Sequence, residues 1–127
     1  MKAIRGLAFV AGLLICGAVL ADSTDPFPGV WNVTMTPNSA SLNDGAKVFQ
    51  DAVMFEDNTL MTENFAFYGF SPGEYTVNEN NFSATMQSGT KGTLSWTGQV
   101  SGDRLTGTLV WTKADGKVWT FTFAGSK

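Results

Sequence analysis

From Val30 onward, apolar residues alternate with Thr, Ser and Asn, the period of a strand with one wet face. Trp31, Val33 and Met35 point one way, and Asn32, Thr34 and Thr36 the other. The alternation returns in Phe82-x-Ala84-x-Met86 and in Leu94-x-Trp96-x-Gly98-x-Val100. It recurs in Leu105-x-Gly107-x-Leu109-x-Trp111 and in Trp119-x-Phe121-x-Phe123. The segment Lys47 to Phe55 is strand-like, but Asp51 falls in line with Phe49 and Val53, which predicts a bulge that returns the carboxylate to water or, failing that, one buried polar link. With Thr59–Thr62 and Glu74–Val77 there are about eight short strands. No segment has a long helical period, although Thr62–Tyr68 has room for one or two turns.

Two consecutive hairpins agree on an inner face. A two-residue Gly102-Asp103 turn sets Gly98 opposite Gly107, Trp96 opposite Leu109 and Leu94 opposite Trp111. A three-residue Ala114-Asp115-Gly116 loop, with Gly116 left-handed, sets Trp111 opposite Trp119 and Leu109 opposite Phe121. The paired glycines leave room for bulky rings from across the molecule or for sharp coiling. Sequential hairpins without long crossovers predict an all-β fold, an antiparallel up-and-down eight-stranded barrel, because closure removes both exposed edges. A two-sheet β-sandwich is the alternative.

The first residues follow another pattern. Lys2 and Arg5 precede an apolar run from Leu7 to Leu20, and Ala21 precedes Asp22, as in a secretory signal peptide over residues 1–21. The expected organisation is a signal peptide followed by a single barrel domain over 22–127, in a secreted or periplasmic protein. A retained anchor, or a lipoprotein attached through Cys16, is the alternative; Ile15 is too large for the usual residue before a lipidated cysteine. Cleavage leaves six basic and 11 acidic residues, a net charge of -5, with no His and no Cys.

Gly29-Val30-Trp31, at the start of the first strand, resembles the Gly-x-Trp opening of lipocalins and the wider calycin superfamily. That resemblance implies a lipocalin-like barrel whose bottom is closed by Trp31 beneath a basic residue of the last strand, here Lys127. The chain is shorter than a typical lipocalin and lacks the C-terminal helix. The run Trp96-x-Gly98, Gly102-Asp103, Gly107 and Trp111, with Gly69-Phe70 and Tyr75 upstream, is similar to that of a group of small secreted bacterial β-barrel proteins. It implies fold and localisation rather than a substrate.

With the first strand running upward, the bottom connections are tight: Asp57-Asn58, Asn78–Asn80 and Gly102-Asp103. The top carries Pro37–Gly45 and Glu63–Pro72, the latter with Phe65, Phe67, Tyr68 and Phe70. Four aromatics in six residues either plug the core or form a portal for an apolar ligand. Lys47, Lys91, Lys113 and Lys117 fall at the top with Asp44, Glu63, Glu74 and Asp115. The bottom holds Glu56, Asp57, Glu79 and Asp103, answered by Arg104.

Candidate chemistry narrows the expectation. Absent His and a mature Cys remove imidazole and thiolate catalysis and the commonest metal ligands. The acidic balance argues against nucleic acid. No phosphate loop, nucleophile elbow or spaced carboxylate pair appears, and no cofactor is implied. Asp51 alone stands out, as a general acid if buried. The expected protein is a non-enzymatic binder of a small apolar or amphiphilic ligand, without a stable transmembrane span. Its candidate contacts are Phe65, Phe67, Tyr68, Phe70, Trp96, Trp111 and Trp119. The alternative is a protein-interaction or inhibitor module with a filled barrel.

Overall fold

The computed structural model describes residues 25–127, so the signal peptide expected over 1–21, Cys16 included, lies outside the described residues. Eight antiparallel strands form a closed up-and-down barrel. They are β1 (Val30–Pro37), β2 (Phe49–Glu56), β3 (Thr59–Thr62), β4 (Gly73–Asn78), β5 (Asn81–Ser88), β6 (Gly92–Ser101), β7 (Arg104–Thr112) and β8 (Val118–Ser126). Pairing of β1 with β8 completes the ring, so the sandwich alternative does not apply. Among the described residues no helix is long and apolar enough to cross a membrane.

The hairpin registers follow from the alternation. Gly98 faces Gly107, Trp96 faces Leu109 and Leu94 faces Trp111. Trp111 faces Trp119 and Leu109 faces Phe121. Gly102 (φ 62°) makes the two-residue turn, and Gly116 (φ 93°) closes the Ala114-Asp115-Gly116 loop. The rings that need the glycine pair come from adjacent strands, not from across the barrel. Phe82 pairs with Gly98, and Phe123 pairs with Gly107.

The bottom is closed by a segment that the alternation does not reach. Phe27, just before β1, is buried edge-to-face on Phe55 at 5.5 Å and tilted on Phe82 at 6.2 Å. Its carbonyl accepts from Trp31 Nε1 at 3.2 Å. Lys127 Nζ lies 5.2 Å from the centre of the Trp31 ring, the pairing that the first-strand resemblance implies. Asp25 straps the segment down, accepting from the backbone N–H of Asp57 and Asn58 at 3.1 and 3.0 Å and from the Tyr75 hydroxyl.

Two expectations are corrected, the bulge and the position of Glu74, and the first upper connection gains a short helix. No bulge interrupts β1 and β2: Val33 pairs with Asp51 and Trp31 with Val53, so Asp51 points inward and is buried. The upper connection after β1 contains a short helix, α1 (Ser39–Asn43), capped by the Asn38 side chain, which accepts from Ser41 N at 2.8 Å. Glu74 does not sit at the top. It pairs with Thr59, the first residue after the lower Asp57-Asn58 turn, because β3 is short and the strands are staggered.

Candidate functional site

The upper mouth is shaped by the Glu63–Pro72 connection, whose first part is a helix, α2 (Glu63–Phe67). Local chemistry dictates both of its ends. Thr62 caps the N-terminus, its Oγ1 accepting from Phe65 N at 3.2 Å. At the other end Gly69 (φ 94°) turns the chain. Gly69 N then donates to Ala66 O and Phe70 N to Phe65 O, a Schellman pair. The apolar contact that accompanies this motif is Phe70 against Phe65, edge-to-face at 5.7 Å.

Asp51 fixes the helix to the wall. Its Oδ1 accepts from Asn64 N at 3.0 Å and from Ala52 N at 2.8 Å, while Asn64 Nδ2 donates to Gln50 O at 2.7 Å. Asp51 Oδ2 has no hydrogen-bond partner among the described residues. Burial pushes the Asp51 carboxyl above the usual carboxylate range, against the lowering effect of those two N–H groups. The residue therefore anchors the roof of the mouth, beneath α2.

The seven candidate residues divide into three sets. Phe65, Phe70 and Trp96 are buried and packed together, with Phe65 edge-to-face on Trp96 at 6.2 Å. Tyr68, Trp111 and Trp119 rim the mouth, with Trp111 edge-to-face on Trp119 at 5.8 Å. Phe67 stands outward, 87% exposed, touching Tyr68 at 6.2 Å between ring centres. A cleft of about 400 Å³ opens here, lined by the aromatics Phe49, Phe65, Tyr68, Trp111, Trp119 and Phe121 and by Gly45, Lys47 and Asn64. That volume is in the range of small-molecule sites. Phe49 and Phe121 are lining residues that sequence reasoning assigned only to the core; their inward phase and position near the strand tops are the signals that could have found them.

Polar groups surround this apolar lining. Lys113 Nζ sits 3.0 Å from the centre of the Trp119 ring and 4.8 Å from that of Trp111. Desolvation lowers its ammonium pKa, with Asp115 and Asp44 acting against the shift. Trp119 Nε1 donates to Asp44 Oδ2 at 2.8 Å, and Lys117 Nζ lies 3.4 Å from Asp44 Oδ1. The indole bond, then Lys117, holds the Asp44 carboxyl below its ordinary value, against slight desolvation. Trp111 Nε1 donates to Lys91 O at 2.8 Å. Both mouth indoles are thus held at their edges with faces toward the cleft or Lys113. Chemically, the arrangement offers an apolar slot beside fixed cations.

Two broader depressions, of about 660 and 640 Å³, lie on the outer wall from β4 to β7. Their lining is mostly Thr, Ser, Asn and Gln. They lack the convergent rings that would displace water, so the mouth is the better candidate despite its smaller volume. Among the described residues no group of three or more acidic side chains comes together as a metal site.

No family model matches the chain, and no curated protein or solved structure matches it either.

Proposed function

We propose that this chain is an exported, non-enzymatic, lipocalin-like barrel that takes a small amphiphile at its upper mouth. The apolar part lies against Phe49, Trp111, Trp119 and Phe121, and an anionic head meets Lys113 or Lys47. The observation that carries this reading is the position of Lys113 Nζ, 3.0 Å from the Trp119 ring centre at the rim of an aromatic cleft of about 400 Å³. A partly desolvated cation over an indole gains when an anion replaces its remaining water. The Gly29-Val30-Trp31 opening and the Lys127–Trp31 contact support lipocalin likeness.

Native mass spectrometry of the protein from its own host tests this function. The expected result is a bound small molecule that denaturation releases and a long-chain fatty acid displaces. Only the bare chain mass, with no adduct after fatty-acid addition, would overturn the reading.

One observation favours a second reading, a protein-interaction or inhibitor module. Beneath the cleft, the barrel is occupied by Phe65, Trp96 and Phe123, with the latter two rings 5.4 Å apart. A ligand would therefore occupy the mouth and not the barrel axis. A specific protein complex that forms with the cleft empty would favour this second reading.

A further inference from the structure

Most of the exposed apolar side chains lie at one end of this barrel, with Val30 and Val77 toward the other. Leu42 on α1, Val48 before β2, Phe67 and Tyr68 at the end of α2, and Val118 at the start of β8 are all exposed by half or more. They come from three neighbouring parts of the upper rim. Phe67 projects furthest into water, and a series of rings leads from it through Tyr68 to Trp111 at the cleft, with centres 6.2 and 6.3 Å apart. A soluble fold gains nothing from a bare phenyl ring on a helix whose other end is so firmly capped.

Charge is polarised along the same axis. Lys47, Lys91, Lys113 and Lys117 stand at this end, against Asp44, Glu63 and Asp115 and the buried Asp51. Asp44 is already engaged by Lys117 and Trp119. The opposite end carries Asp25, Glu56, Asp57, Glu79 and Asp103, with Arg104 and Lys127 as its bases. An anionic plane would attract the lysine-bearing end and repel the acidic one, orienting an otherwise acidic molecule mouth-down.

We propose that the upper rim docks onto the surface of an anionic lipid bilayer, with Phe67 and Tyr68 entering the interfacial layer and the lysines resting among the headgroups. Apolar tips between lysines match a plane that is apolar beneath and anionic above. Docking would place the cleft at the membrane surface, where amphiphiles are concentrated. It does not require the cleft to hold one.

Co-sedimentation of the protein from its own host with vesicles tests this. One vesicle set is phosphatidylcholine alone, the other phosphatidylcholine mixed with phosphatidylglycerol, both without added fatty acid. The expected result is binding to the mixed vesicles that weakens with salt. Phe67→Ser should reduce that affinity about tenfold, and Lys91→Gln roughly fivefold. Val77→Ser, at an exposed apolar residue near the lower end of β4, should leave it unchanged. Melting curves show whether each variant is folded.

Equal binding to both vesicle sets, no binding to either, or folded Phe67→Ser binding as well as the parent would overturn the proposal. So would a concentration-dependent dimer that Phe67→Ser abolishes, since the patch would then belong to a second copy. Because the vesicles carry no fatty acid, failure here leaves the cleft reading standing, and an empty cleft leaves this proposal standing.

Discussion

Gly98 and Gly107 face each other across β6 and β7, and the rings of Phe82 and Phe123 occupy the space their side chains would need. A Cβ on Gly107 would lie 2.2 Å from Thr97 O and 2.5 Å from Phe123 Cζ; one on Gly98 would lie 2.5 Å from Thr106 O. The obstruction is partly backbone, so rotating a ring cannot remove it. Gly107→Ala should destabilise the fold by about 1–3 kcal/mol through overpacking. Urea unfolding checks this, and an unchanged midpoint would show that the two strands separate freely here.

Trp96 is fully buried, and its Nε1 has no acceptor among the described residues. Its value lies in volume and ring contacts, with Phe65 on one side and Phe123 on the other. Trp96→Ala should cost about 3–5 kcal/mol. Trp96→Phe should cost markedly less, because it keeps an aromatic ring and removes an unsatisfied donor. Equal losses for the two variants in denaturant unfolding would point to a bond from the indole N–H.

The buried Asp51 predicts an unusual pH dependence. Its folded pKa is raised above the ordinary value of 3.8 by burial. The native state therefore holds this proton more tightly than the unfolded chain. The stabilising contribution is fully present below pH 3.8 and is lost as pH rises through the higher folded pKa. Asn at this position keeps an oxygen for Asn64 N and Ala52 N but does not titrate. The stability of the parent relative to Asp51→Asn should consequently fall with rising pH over that window. Urea midpoints of both proteins across the acid range measure it, and a constant difference would contradict it. Asp51→Ala removes the shared acceptor and should cost about 1–3 kcal/mol at acid pH, a loss that shrinks over the same window.

At the lower end, the strap and the plug can be weighed separately. Tyr75→Phe removes the hydroxyl bond to Asp25 and should cost about 1.5–3 kcal/mol, as for a bond to a charged group. Phe27→Ala empties the space over Phe55 and Phe82 and should cost about 3–5 kcal/mol. Thermal unfolding of both variants should rank the plug above the strap. The reverse order would make the Asp25 contacts the main closure.

The strands from β5 to β8 were legible because their alternation is strict and each turn carries its own signal, Gly102 or Gly116. Thr62 and Gly69 likewise mark the ends of α2. The phase of Asp51 leaves a bulge and a buried polar link both open, for a physical reason. An inward carboxylate is costly unless partnered, and its partner Asn64 lies on another element, 13 residues away. Phe27 stands before the alternation begins, so no phase marks it as a plug. Glu74 was misplaced because the stagger of β3 against β4 depends on barrel shear, which a single strand does not encode. At the mouth, the seven aromatic candidates were one class by composition. Depth separates them, setting Trp96 in the core, Trp119 on the rim and Phe67 in water.

That separation by depth gives the most direct test of ligand binding at the mouth. Each of the four Trp residues contributes one indole N–H signal to a nitrogen–proton correlation spectrum. Trp111 and Trp119 flank the cleft, whereas Trp96 lies deep in the barrel and Trp31 near its lower end. Titration with a long-chain fatty acid should shift the Trp111 and Trp119 signals in step while Trp31 and Trp96 stay in place. Four unmoved signals at saturating fatty acid, or movement of Trp31 alone, would contradict a binding site at the upper mouth.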